Sequence, residues 1–228
     1  MFGKSLRILA IVLMGFSAAM MVLGGIGTIC IAFWPEKYPT LSMMVPYKPI
    51  YQVAAITTIV AGLFAVRATM RLRRFQARHV RAAIIILLVS LATAGVKMYF
   101  SSKVRGSVAP TNIRFYLSLL TMVYLLILRW PGVWQRVRTE SPDDQSGQIG
   151  TGIAAIVAGI PTLTVQFWAA STHVLQGVNY ADVWHWQLAV VGWSLIAGGV
   201  WLLLRCWSKE ARFNLAGDSD LQSPPLPF

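Results

Sequence analysis

The chain has 228 residues, of which 56% are hydrophobic and only 12% charged, with a net charge of +12 and a mean hydropathy of +0.61. Soluble domains carry about 25% charged residues, so the composition excludes an ordinary soluble domain and points to a membrane protein. The positive charge does not argue for nucleic acid, because that reading needs basic residues gathered on one soluble face, and here they punctuate apolar runs.

A membrane-spanning helix takes about 20 mostly apolar residues. Six segments qualify: 8–34, 50–66, 80–100, 113–130, 151–171 and 186–206. The predicted fold class is therefore all-α, a polytopic integral membrane protein with about six transmembrane helices in a 4+2 arrangement and both termini cytoplasmic. The first run follows MFGKSLR and resembles a signal peptide. It is much longer than the roughly 7–15-residue core of a cleaved signal, so it is read as a retained helix. Its GFSAAMMVLGGIG stretch is rich in small residues, as are TGIAAIVAGIPT and GWSLIAGG later in the chain. In lipid, such residues let helix backbones approach closely.

After the second segment comes RATMRLRRFQARHVR, which holds Arg67, Arg71, Arg73, Arg74, Arg78 and Arg81 and no acid. It is read as a loop whose charge sets topology and contacts anionic lipid headgroups, or docks a partner. His79 within it is expected to be solvated. In the third segment Lys97 is expected to snorkel to the interface. The next connection, KMYFSSKVRGSVAPTNIR, carries four basic residues and leaves a five-span or re-entrant arrangement open.

Residues 136–151, including RVRTESPDDQSGQIG, read as a polar cytoplasmic linker between a four-helix part, 1–135, and a two-helix hairpin, 152–207. Residues 208–228 read as a flexible tail, Pro-rich at its end. Pro161, in the middle of the fifth segment, should kink it and free a carbonyl near Ile160 or one turn earlier, within reach of Thr162, Thr164 and Gln166.

Counting charges orients the spans. With the N-terminus inside, one face collects Lys4, Arg7, the six arginines above, Arg129, Arg136, Arg138, Arg205, Lys209 and Arg212, fourteen of the 20 basic residues. The other holds Lys37, Lys48, Lys97, Lys103, Arg105 and Arg114. The positive-inside rule puts the richer face in the cytoplasm, which fits the cytoplasmic membrane of a prokaryote. Cys30 and Cys206 then lie at opposite faces, too far apart to bridge.

None of the eight acids falls within a predicted span, so the carboxylate on which proton-coupled transporters usually depend is missing. No G-x-S-x-G, HExxH or P-loop occurs, which argues against an enzyme. The most chemical stretch is STHVLQGVNYADVWHWQ, residues 171–187, between the last two spans. His173, Asn179, Tyr180, Asp182, Trp184, His185 and Trp186 are its candidate ligand-binding residues, with the histidines brought to similar depth by the hairpin and Asp182 three residues before His185. An aromatic belt with Asp182 as a helix cap competes with this reading. So does metal ligation by His173, His185 and Asp182, or haem or a chlorin on the two histidines. Trp184 and Trp186, about 200° apart on a helix, should not both face lipid.

The sequence identifies no cofactor. Its first functional reading is a non-catalytic membrane subunit or scaffold with membrane lipids and other membrane subunits as partners. The alternatives are a small-solute binding or transport component with a site at the outer mouth of the fifth and sixth helices, and a haem- or metal-binding redox subunit using His173 and His185.

Overall fold

The computed structural model describes residues 2–139, 144–169, 174–175 and 177–220. Six of its helices are long and apolar enough to cross a membrane, and the chain is a multi-pass helical membrane protein. Helix α1 (Phe2–Ile26) is extended by α2 (Ile29–Phe33). Two 3₁₀ turns, Pro35–Lys37 and Pro39–Tyr47, lead into α3 (Lys48–Leu72). There follow α4 (Ala77–Arg105), α5 (Thr111–Leu128), the short α6 (Pro131–Thr139) and α7 (Asp144–Leu163). After α8 (Val165–Trp168), strands β1 (Val174–Leu175) and β2 (Val178–Asn179) pair antiparallel, and α9 (Tyr180–Val183) precedes α10 (His185–Asp220). Six spans are an even number, so α1 begins and α10 ends on the same side, the terminal face.

Several boundaries differ from the sequence reading. The arginine-rich stretch is not a long loop. Arg67 and Arg71 belong to α3 and Arg78 and Arg81 to α4, leaving residues 73–76 as the link. Arginine, leucine and methionine are good helix formers, so charge ends the apolar run without ending the helix. The reversal is made at Phe75, whose φ of 41° lies in the left-handed region. At the other end of α4, Gly106 stops the helix with φ 65° and donates its N–H to the Ser102 carbonyl at 3.1 Å.

Helix α7 starts at Asp144, so most of the stretch read as a linker is helical, and only 140–143 lie between α6 and α7, outside the described residues. Pro161 consequently sits in the last turn and not mid-span. The hydroxyls of Thr162 and Thr164 donate to the Ala158 and Ile160 carbonyls at 2.8 and 2.9 Å, and Trp168 Nε1 donates to Pro161 O at 3.2 Å. The proline ends the helix, and these donors satisfy the last carbonyls. Helix α10 likewise runs on to Asp220, through the part of the tail where Lys209, Glu210, Ala211 and Arg212 favour helix.

Helix α1 is the centre of the bundle, packed on α3, α5 and α7. Ile11, Met14 and Met21 are completely buried, in one cluster with Leu72, Leu87 and Leu125. Glycines set the closest approaches: a Cβ on Gly25 would stand 2.6 Å from Ile59 Cγ1 of α3, and one on Gly15 would stand 2.7 Å from Ala154 Cβ of α7. Helix α7 is thus a fifth member of the core, although the chain reaches it only after the four-helix part. Helix α10 packs chiefly on α7, and in its membrane-spanning window only 11% is buried.

Candidate functional site in the helix bundle

The hairpin stretch is the first place to look. His173 lies outside the described residues, so its meeting with His185 is not part of the described geometry. His185 is exposed, with Nδ1 3.2 Å from Gln166 Oε1, and Asn179 Nδ2 donates to the Gln166 carbonyl at 3.4 Å. Gln166 of α8 therefore ties the two sides of the stretch together, a role the sequence reading left to the histidines. Asp182 is exposed on α9. Trp184 breaks the helix between α9 and α10, so Asp182 and His185 do not share a continuous helical face. Tyr180 opens α9, its side chain outside the described set.

The expectation that one tryptophan turns inward fails. Trp184 is 57% exposed and Trp186 78%. The 200° argument assumed one helix with a wide buried side, whereas Trp184 stands at the break and α10 touches its neighbour along a narrow line. Among the described residues no three His, Cys, Asp or Glu side chains come together as a metal site would require.

On the terminal face, Arg67, Arg71, Arg74, Arg78 and Arg81 are exposed and Arg73 is half-buried. Met70, Arg71, Arg74, Arg78, His79 and Ala82 line a groove of about 570 Å³. His79 is not solvated as expected. It is buried in the first turn of α4, and its Nδ1 has no hydrogen-bond partner among the described residues.

A polar seam runs through the bundle from this face toward the other. At the terminal end Arg7 Nη2 donates to the Arg73 carbonyl at 2.9 Å, its guanidinium 5.7 Å from the centre of the Phe75 ring. Tyr124 OH donates to Leu6 O at 3.0 Å. Deeper, the Ser17 and Thr121 hydroxyls pair at 2.8 Å and those of Ser90 and Ser118 at 3.2 Å. Each joins two helices, a hydroxyl among lipid-like side chains being favoured to find its partner inside the protein.

Beyond these pairs the seam ends in two cations. Lys97 on α4 is buried, 7% exposed, and does not snorkel: its ammonium donates to Thr28 Oγ1, whose own hydroxyl donates back to Gly24 O. Arg114 on α5 is 3% exposed, and Nε, Nη1 and Nη2 all lack a hydrogen-bond partner among the described residues. Lys97 stays in because Thr28, brought by the α1–α2 junction, offers an oxygen inside the bundle. The sequence carried a hint of this for Lys97, the basic residue deepest inside a predicted span, but it read as an interface charge, and Arg114, at the edge of its apolar run, gave no hint.

No family model, curated protein or solved structure matches this chain.

Proposed function

We propose that the chain is a non-catalytic integral membrane subunit that docks partner helices through the outer face of α10, with its termini and arginine-rich link in the cytoplasm of a prokaryote. The observation that carries this reading is the contrast between two adjacent glycines. Gly199 is packed against α7, whereas Gly198 has nothing within 4 Å of where its Cβ would be. Ser194, Gly198 and Trp201 form an exposed stripe at helical spacing, in which two small residues four apart admit a close-packed partner and Trp193 and Trp201 supply flanking apolar surface.

The experiment is native mass measurement of the chain in mild detergent, as purified from its own membrane. The reading expects a complex with other membrane subunits, lost in Gly198→Leu while the variant chain stays folded. A bare monomer from the native membrane, or a complex indifferent to Gly198→Leu, would reject it. The solute-binding alternative at the outer mouth of α7 and α10 draws support only from the Gln166, Asn179 and His185 contacts.

A further inference from the structure

We propose that Lys97 and Arg114 form a binding site for an oxyanion, a carboxylate or phosphate group, held between α1, α4 and α5. The two side chains come from different helices and converge on the last turn of α1 and its junction with α2. Lys97 bonds Thr28, and the Arg114 Nη1 and Cδ atoms lie 3.5 Å from where a Cβ of Gly24 would be. Thr28 Oγ1 in turn donates to the Gly24 carbonyl, so the two contacts fall on one short stretch of chain.

Such a pair cannot stand alone in an apolar bundle. Placing an unpaired charge in a medium of low dielectric constant costs several kcal/mol even after relaxation. Arginine cannot escape by losing its proton, and none of the six spans contains an aspartate or glutamate. Of the ammonium's donors the described residues take one, and of the guanidinium's they take none. A planar guanidinium fork beside a point-charge ammonium is the donor set that carboxylate and phosphate oxygens accept in bidentate fashion. Gly24, with no side chain, lets the guanidinium pack directly against α1.

The position says how an anion would reach the pair. Lys97 is eight residues from the end of α4 and Arg114 three from the start of α5, so at about 1.5 Å per residue the site lies roughly 5–12 Å below the face opposite the termini. That is the depth of a lipid headgroup drawn inward between helices, and also within reach of a water-soluble anion entering from that face.

The test uses the full chain, delipidated and reconstituted in phosphatidylcholine nanodiscs, with the thermal unfolding midpoint as readout. One arm adds phosphatidylglycerol to the discs. The other adds inorganic phosphate or acetate to the buffer against chloride at equal ionic strength. The expected result is a raised midpoint in at least one arm: the lipid arm alone identifies a headgroup, the buffer arm a soluble anion. Arg114→Gln and Lys97→Met should each fold without anion and weaken the response by roughly ten- to a hundredfold in anion concentration, the equivalent of one charge-assisted hydrogen bond. No stabilisation beyond chloride in either arm overturns the proposal, as does an undiminished response in the two variants. Failure of both variants to fold overturns it too, since removing an uncompensated charge should not cost the fold.

Discussion

Gly199 and Gly152 meet backbone to backbone: a Cβ on Gly199 would stand 2.5 Å from the Gly152 carbonyl oxygen, and one on Gly152 would stand 2.9 Å from that of Gly199. Gly159 and Gly192 repeat the arrangement further along, with distances of 2.8 and 3.1 Å to each other's carbonyl oxygens. The α7–α10 pair is therefore held at a separation that only glycine permits. Gly199→Ala should destabilise the protein by about 1–3 kcal/mol through overpacking, measured by reversible unfolding in mixed micelles. Gly198→Ala, facing open space, should stay within about 0.5 kcal/mol of wild type. Equal effects would mean that the two helices are not packed in this register.

Phe75 turns the chain at a left-handed φ of 41° while its ring is buried, stacked 5.7 Å from Trp134 and lying under the Arg7 guanidinium. Two opposed effects follow. Removing the ring should cost about 3–5 kcal/mol in Phe75→Ala. Phe75→Gly loses the same packing but is spared the left-handed strain of about 1–2 kcal/mol, so glycine should be the more stable variant, reversing the usual order of alanine over glycine. Unfolding midpoints of the two variants decide it.

What the sequence disclosed follows from which forces act locally. The six spans were legible because hydropathy over a window is a local property, and the lack of acids within them is read from the sequence directly. The arginine link was not, since whether α3 stops at Val66 or Leu72 depends on helix propensity that charge does not override. Lys97 was misplaced for a different reason. Its burial requires Thr28, 69 residues away, and no local pattern reveals which oxygen a lysine will meet. The hairpin differs similarly: a shared face for Asp182 and His185, and the angle between Trp184 and Trp186, required one continuous helix through the segment, and the break at Trp184 removes that geometry.

The Ser17–Thr121 hydroxyl pair joins α1 to α5 with both side chains at 0% exposure. A double-mutant cycle of Ser17→Ala and Thr121→Val should give a coupling of about 0.6 kcal/mol, the typical value for such pairs in membrane proteins. It should not be much larger, because Thr121 also donates to the Leu117 carbonyl at 2.8 Å and so keeps a partner when Ser17 is truncated.

Glu36 accepts a 2.7 Å hydrogen bond from Lys48 Nζ across the 3₁₀ turns. That bond, with a backbone hydrogen bond behind it, holds the Glu36 carboxyl below its ordinary value of 4.5. A depressed folded-state value means the pair's contribution is present above pH 4.5 and is lost as pH falls through the folded value. Glu36→Gln should therefore flatten the acid limb of the stability profile, while leaving the neutral region nearly unchanged because the pair is exposed. A variant profile that parallels wild type through the acid range would assign the acid sensitivity elsewhere.

Orientation is the last question the charges decide. The connection after α4 seemed too basic for an outer face, with Lys97, Lys103, Arg105 and Arg114 all counted in it. Lys97 and Arg114 are buried among the helices, so only Lys103 and Arg105 remain at its surface. The link at 73–76, by contrast, is flanked by exposed Arg67, Arg71, Arg74, Arg78 and Arg81. This sharper asymmetry strengthens the prediction that the terminal face is cytoplasmic. Gln76 and Val178 are exposed on opposite faces, and the native Cys30 and Cys206 are half-buried and buried. With both native cysteines replaced by alanine, an impermeant maleimide added to intact cells should label Val178→Cys and spare Gln76→Cys until the membrane is opened. Reversed labelling would invert the orientation and place the Lys97–Arg114 site nearer the cytoplasm. Labelling of both positions from outside would require an even number of spans between them, in conflict with the three that α4, α5 and α7 provide.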